Sequence, residues 1–274
     1  MLKVLYNKIR AFLDYIKYNG KITHISIGET TPGELLKGKK IIVTGGAKGI
    51  GLAIANKFLE QNAKVLITSR NITSLQNVKQ SIGNKNLQIL KWDVTDFSQT
   101  TSKIEEAITL LGGLDIIVNN AAFLANKQTD ETFYDKTMDT NLKSIYFICK
   151  EAGERMSQLN GEKGGKIIII SSINGFMGST HPYYISKWGL NGLIKGYAKE
   201  YAPKNIIVNG IAPGYCSSGI NLQDIEKNAY FERNPLHRII LPEEVAELAT
   251  FLASDLSNGI VGEIIKVDGG TTII

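Results

Sequence analysis

The sequence predicts an α/β fold: a doubly wound parallel sheet with helices on both faces over residues 38–274, preceded by a helical extension over residues 1–37. Three observations predict it. Short apolar runs alternate along the chain with segments of helical period, which is the pattern of linked βαβ units. The runs are apolar throughout, as in Ile167-Ile168-Ile169-Ile170, and so suit parallel strands covered on both sides. The chain has 274 residues, 43% of them hydrophobic and 21% charged, enough to bury one sizeable core.

Residues 2–18 carry Leu2, Leu5, Ile9, Phe12, Leu13 and Ile16 at helical spacing, with Lys3, Lys8, Arg10 and Lys17 between them. They read as a basic amphipathic helix that ends at Asn19-Gly20. Residues 21–37 have no strong period and read as a connector. The first strand is Ile41-Ile42-Val43, and a helix follows over 50–61 with Ile50, Ala53, Ile54 and Phe58 on one face. Strands are predicted at 65–68 and 87–92, with no element predicted between them. Next come a helix over about 97–111, a strand over 115–119 and one long helix over about 130–157. A strand at 166–171, a helix over about 183–201 and a strand at 206–211 complete the regular part. After an irregular stretch, a helix runs from Pro242 to Ala253 and a last strand lies near 263–267.

Composition excludes several classes. Cys149 and Cys216 cannot make a disulfide framework, and His24, His181 and His237 are scattered, so no metal site is expected. No apolar run is long enough to span a bilayer and no signal-peptide pattern opens the chain, so the expected location is the cytoplasm. Residues 1–40 hold eight Lys/Arg against three Asp/Glu, which accounts for the whole net charge of +5. The basic character belongs to the leading segment and does not mark a nucleic-acid-binding body. The N-terminal helix is expected to pack on its own domain or a neighbouring subunit rather than on a lipid surface.

Thr44-Gly45-Gly46-Ala47-Lys48-Gly49-Ile50-Gly51 joins the first strand to the first helix. Glycines allow a tight turn and close approach to a pyrophosphate, and the helix N-terminus offers free N–H groups and the positive end of its dipole. In this strand-turn-helix setting the segment reads as a dinucleotide site. Tyr183 and Lys187 stand four residues apart, on one face of a helix. A free phenol has a pKa of about 10, too high for acid–base work near neutrality, and a neighbouring ammonium favours the phenolate. Tyr184 lacks this relation to Lys187.

The spacing TGxxxGIG, with the downstream motifs in order, resembles the short-chain dehydrogenase/reductase family across about residues 38–274. The resemblance implies a Rossmann-type sheet and carbonyl–alcohol redox chemistry with a nicotinamide cofactor. It implies cofactor contacts at Gly45, Lys48, Gly49, Ile50 and Gly51, and at Asp93-Val94 beside the adenine. Asn119-Asn120-Ala121-Ala122 looks like the family's NNAG, with Ala122 in place of the Gly, so Asn120 and Ala121 join the cofactor set. Pro213, Gly214 and Ser218 resemble its PGxxxT stretch beside the nicotinamide carboxamide. Tyr183 and Lys187 would also meet the cofactor. At the end of the second strand an NAD-preferring enzyme places an acidic residue. Here Ser69-Arg70 stand there, with Lys48 in the glycine turn, and two cations suit the 2′-phosphate of NADP.

The same resemblance gives the catalytic set as Asn141, Ser172, Tyr183 and Lys187. Ser172 would hydrogen-bond the substrate carbonyl, with Ser171 as the alternative. Tyr183 would be the acid/base and Lys187 its partner. Asn141 would shape the helix and hold a water that relays protons. The expected function is NADP(H)-dependent interconversion of a small-molecule carbonyl and a secondary alcohol. A 3-oxoacyl-carrier-protein reductase is the specific form considered, and a non-catalytic NADPH-sensing regulator is the alternative from another class. A homotetramer or homodimer is expected from the resemblance. Substrate choice is expected in residues 173–182 and 215–240, where Tyr215, Ile220, Leu222, Tyr230 and Phe231 suggest an apolar lid. His181 reads either as a substrate contact or as an ordinary loop residue.

Overall fold

The computed structural model describes residues 33–124, 130–216 and 229–273. The N-terminal basic helix, Ser218, Ile220 and Leu222 lie outside them. Seven parallel strands form one sheet in the order β3-β2-β1-β4-β5-β6-β7. They are β1 Lys40–Val43, β2 Lys64–Ser69, β3 Leu87–Lys91, β4 Ile116–Asn119, β5 Gly165–Ile170, β6 Ile206–Pro213 and β7 Ile264–Val267. β1 pairs β2 with Ile41 opposite Val65, and pairs β4 with Ile41 opposite Ile116. The chain order therefore reverses beside β1, between β1 and β4. In open α/β sheets a ligand crevice lies at the carboxyl ends of the strands at such a reversal.

The helices are α1 Gly49–Glu60, α2 Ile72–Ile82, α3 Thr100–Leu111, α4 Glu131–Met138, α5 Ser144–Asn160, α6 Pro182–Tyr201 and α7 Pro242–Ala253. Successive strand residues face opposite layers, so the continuous apolar runs fill two cores. Ile42, Leu66, Ile117, Ile167, Ile169 and Val208 pack toward α3, α5 and α6. Ile41, Val43, Val65, Ile67, Ile168 and Ile211 pack toward α1, α2 and α7.

Two elements differ from the sequence expectation. α2 was not predicted: Leu75, buried, and Val78 and Ile82, partly buried against the same core, are its inward residues, set among polar ones. Its ends are nevertheless chemically marked: the Asn71 side chain accepts from Ser74 N at 3.2 Å, and Gly83 closes the helix at φ 62°. The long helix expected over 130–157 is interrupted. α4 and α5 are joined by a π turn, Asp139–Lys143, that contains Asn141. Such a turn adds a residue to the helix and redirects side chains, often at functional sites. Leu36, in the segment read as connector, is fully buried, and its N–H donates to Gln61 O at 3.2 Å.

Candidate active site

The crevice at the strand ends has two ends of different construction. At the glycine turn, three segments interlock. Thr44 Oγ1 accepts from the N–H groups of Asn120 at 3.0 Å and Ala121 at 3.1 Å. Asn120 Nδ2 donates back to Thr44 O at 3.0 Å and Gly45 O at 3.1 Å. Gly45 has φ +66°, and a Cβ there would meet Ala121 Cα at 2.9 Å. On Gly51 a Cβ would meet Gly45 O at 2.6 Å and the Asn120 amide. Only glycine permits this approach of β1, β4 and α1.

The first turn of α1 is left for an anion. Lys48, the N-cap, is extended, no side chain caps the helix, and the first turn holds no acidic residue. Unsatisfied N–H groups and the helix dipole both favour negative charge there. Lys48 and Arg70 are exposed, and neither ion-pairs with a described carboxylate. Ser69 Oγ accepts from Asn71 N at 3.3 Å, which turns the chain out of β2 and carries Arg70 to the surface. Asp93 Oδ1 accepts from Thr95 N at 3.0 Å and Thr95 Oγ1 at 2.7 Å, while Val94 is buried in the core. Pro213 ends β6, and Gly214 N donates to Val267 O at 2.9 Å. Ala122, in place of the family's Gly, is exposed. Uncapped N–H groups, close-packed glycines and two exposed cations fit a phosphate-bearing dinucleotide.

At the other end, α6 brings Tyr183 and Lys187 against the end of β5. Lys187 is 2% exposed, and its Nζ donates to Ile170 O at 2.9 Å. The Nζ lies 5.6 Å from the Tyr183 ring centroid. Burial pulls the lysine down to about 7. Burial also pushes the Tyr183 phenol up, and hydrogen bonding with Ser172 pulls it partly back. Burial sets the direction for Tyr183, and the lowering that the sequence ascribes to Lys187 does not enter it. Tyr184 stands at 80° to Tyr183, with ring centroids 6.4 Å apart.

The two serines have different partners. Ser171 Oγ donates to Asn191 Oδ1 at 2.7 Å, and Asn191 Nδ2 donates to Gly175 O at 2.8 Å. Ser171 thus ties β5 to α6 in a buried clamp. Ser172 Oγ accepts from Asn174 N at 3.2 Å and faces the Tyr183 phenol. Asn141 is wholly buried. Its Oδ1 accepts from Phe123 N at 2.7 Å, and its Nδ2 donates to Phe123 O at 2.9 Å and Ser186 Oγ at 3.3 Å. Ser186 Oγ donates to Tyr183 O at 2.7 Å. Asn141 therefore joins the segment after β4 to the helix turn that bears the tyrosine.

Ser186, Asn191 and the Phe123 backbone were not found from the sequence. A lone Ser and a lone Asn carry no signal, and backbone groups carry none at all. Part of the expected lid is visible: Tyr215 and Phe231 stack with centroids 4.6 Å apart, and Leu236 is exposed beside them in sequence. Tyr230 is buried, so it serves packing rather than the surface. Among the described residues no His, Cys, Asp or Glu cluster could hold a metal, and no helix is long and apolar enough to cross a membrane.

Fold and site together define a dinucleotide-binding oxidoreductase. A family model described as enoyl-(acyl carrier protein) reductase matches residues 45–272. The 3-oxoacyl-[acyl-carrier-protein] reductase FabG of Chlamydia trachomatis is 36% identical over 246 residues, covering 86% of this chain and 98% of that protein. The FabG of Aquifex aeolicus is 34% identical over 245 residues, with the same coverage of each chain. A putative short-chain alcohol dehydrogenase from Sinorhizobium meliloti superposes with a TM-score of 0.77 at 33% identity, covering 87% of this chain and 98% of its own. ElxO with NADP bound gives 0.79 at 31% identity, covering 86% of this chain and all of its own. The chain belongs to the short-chain dehydrogenase/reductase family. It is a nicotinamide-dependent oxidoreductase acting on the carbonyl–alcohol pair.

Proposed function

We propose that the enzyme uses NADP(H) and interconverts a carbonyl and a secondary alcohol, with Tyr183 as acid/base. The observation that carries this reading is the meeting of Ser172, Tyr183 and Lys187 at the end of β5, beside a glycine turn flanked by two exposed cations. Gly45, Gly49, Ile50 and Gly51 would hold the pyrophosphate, and Lys48 and Arg70 the 2′-phosphate. Asp93 and Val94 would lie by the adenine, and Asn120, Ala121, Pro213, Gly214 and Ser218 by the nicotinamide ribose and ring. When bound, the cofactor supplies or accepts the hydride.

The protein's own groups handle the oxygen and the proton. Ser172 and Tyr183 donate hydrogen bonds to the carbonyl oxygen and polarise it, and the pull grows as charge develops there. Tyr183 then gives up its proton to the alkoxide. Burial keeps the phenol protonated until that moment, which suits a proton donor in the reducing direction. Lys187, poised near 7, can take or return a proton beside the phenol. Asn141 fixes the helix turn behind Tyr183, and a water at that point would complete the relay.

Reduction of a 3-oxoacyl thioester carried by an acyl carrier protein is the specific form favoured by the FabG relatives and by the exposed apolar Tyr215 and Leu236, with half-buried Phe231 stacked on Tyr215. NADPH oxidation measured with an acetoacetyl thioester, a keto-sugar and a simple diketone tests both levels. Tyr183→Phe should abolish turnover of whichever substrate responds while NADPH binding stays nearly intact. Substantial residual turnover overturns the acid/base role, and a response to the keto-sugar alone overturns the acyl form.

A further inference from the structure

α6 begins in an unusual way. Its N-cap is His181, and Pro182 occupies the first helical position. Proline has no N–H, so the first backbone donor that needs an acceptor is that of Tyr183. The next two are already served: Tyr184 N and Ile185 N donate to His181 O at 3.0 and 3.2 Å. The Tyr183 N–H goes to the imidazole, donating to His181 Nδ1 at 3.2 Å. The first turn of the helix that carries the tyrosine is thus closed by a ring nitrogen.

We infer that His181 is a positioning residue for Tyr183, holding the first turn of α6 only while its Nδ1 is unprotonated. The inference rests on the acid/base reading of Tyr183. Helix caps are ordinarily Ser, Thr, Asp or Asn, whose oxygens can accept a hydrogen bond across the working range of pH. Imidazole differs. Its Nδ1 accepts in one neutral tautomer, and in the cation both nitrogens are donors. Protonated His181 would point an N–H at the Tyr183 N–H and place a positive charge at the positive end of the helix dipole.

Among the described residues, the surroundings fix the ring without an ion pair to it. Phe133 of α4 meets the imidazole edge-on at 5.6 Å, and Tyr184 at 6.1 Å. His181 N donates to Ser179 Oγ at 3.1 Å. The titratable groups nearby are the phenols of Tyr183 and Tyr184 on its own helix and, on α4, Lys136. The Lys136 Nζ lies 4.6 Å from the Phe123 ring, which in turn packs on Phe133. No described carboxylate ion-pairs with His181. The same Phe123 is held by Asn141, so the imidazole and the π turn brace α6 from one aromatic cluster.

Two measurements on the full chain test this. The first is backbone hydrogen exchange of the peptide containing Tyr183 at about pH 5.5 and about pH 8, corrected for intrinsic rates, a range that spans imidazole titration. The second is the pH profile of kcat/KM for NADPH oxidation. In the wild-type chain, protection and kcat/KM should each fall about five- to tenfold on acidification, the weight of one helix cap. His181→Asn, whose Oδ1 accepts throughout this range, should flatten the protection curve and remove the same factor from the kcat/KM profile, leaving the part that Lys187 contributes. His181→Ala should lower protection at both pH values. Equal pH dependence of protection in the wild type and His181→Asn would overturn the inference. If protection follows the expected pattern while no carbonyl is reduced, the cap stands and the acid/base reading of Tyr183 fails.

Discussion

At the catalytic end of the crevice, polar side chains are buried and cross-bonded. Lys187 is held by a β5 carbonyl, Asn141 by the Phe123 backbone and Ser186, and Ser171 by Asn191. At the glycine-turn end, Lys48 and Arg70 stand exposed without a described carboxylate partner. The first end needs positions and proton affinities fixed before substrate arrives, and burial supplies both. The second needs charge that an incoming phosphate can meet without first breaking an ion pair. In the proposed reading, rigidity is concentrated where a proton would move, and open charge where a cofactor would be chosen.

The sharpest way to break this comparison lies in the adjacent serines. Ser172→Ala should lower kcat about 10²- to 10³-fold, as loss of one donor to a developing oxyanion does. Ser171→Ala should cost instead about 1–3 kcal/mol of stability, because Asn191 loses its buried partner, and a urea midpoint would read it. A reversal of the two effects would exchange their roles. At the open end, Arg70→Asp should raise KM for NADPH about 10- to 100-fold, with far less effect on KM for NADH, since one charge-assisted contact becomes a repulsion. Equal effects on both cofactors would remove the NADP assignment.

A smaller effect reports on burial itself. Lys187 titrates near 7 in the folded protein and near 10.5 when exposed, so between these values the unfolded chain binds more protons. Stability should therefore rise with pH across that window, by up to about 1.4 kcal/mol per unit from this group. Lys187→Met should lose that share of the slope in denaturant unfolding at pH 7 to 9. Lys166, buried near the opposite end of β5 and lowered to about 8, contributes a slope of the same sign to both proteins and cancels. An unchanged slope would mean that Lys187 is not desolvated as its burial indicates.

What could be read before folding follows from where information sits in a chain. The parallel sheet was legible because each buried strand writes its own apolar run, and the crevice because its glycine turn is contiguous. Tyr183 and Lys187 were legible because both lie on one helix. α2 was hidden because its apolar stripe is narrow, Leu75 with Val78 and Ile82, on an otherwise polar helix. The sequence by itself determined the architecture, the glycine turn and the helical pairing of Tyr183 with Lys187, all of them local or periodic. It took the tertiary structure to tie Ser171 to Asn191 and turn Ser172 toward the Tyr183 phenol, to place Asn141 in a π turn against Phe123, and to put His181 beneath the Tyr183 amide. Those choices depend on which partners lie across the fold, and such contacts write no period along the chain.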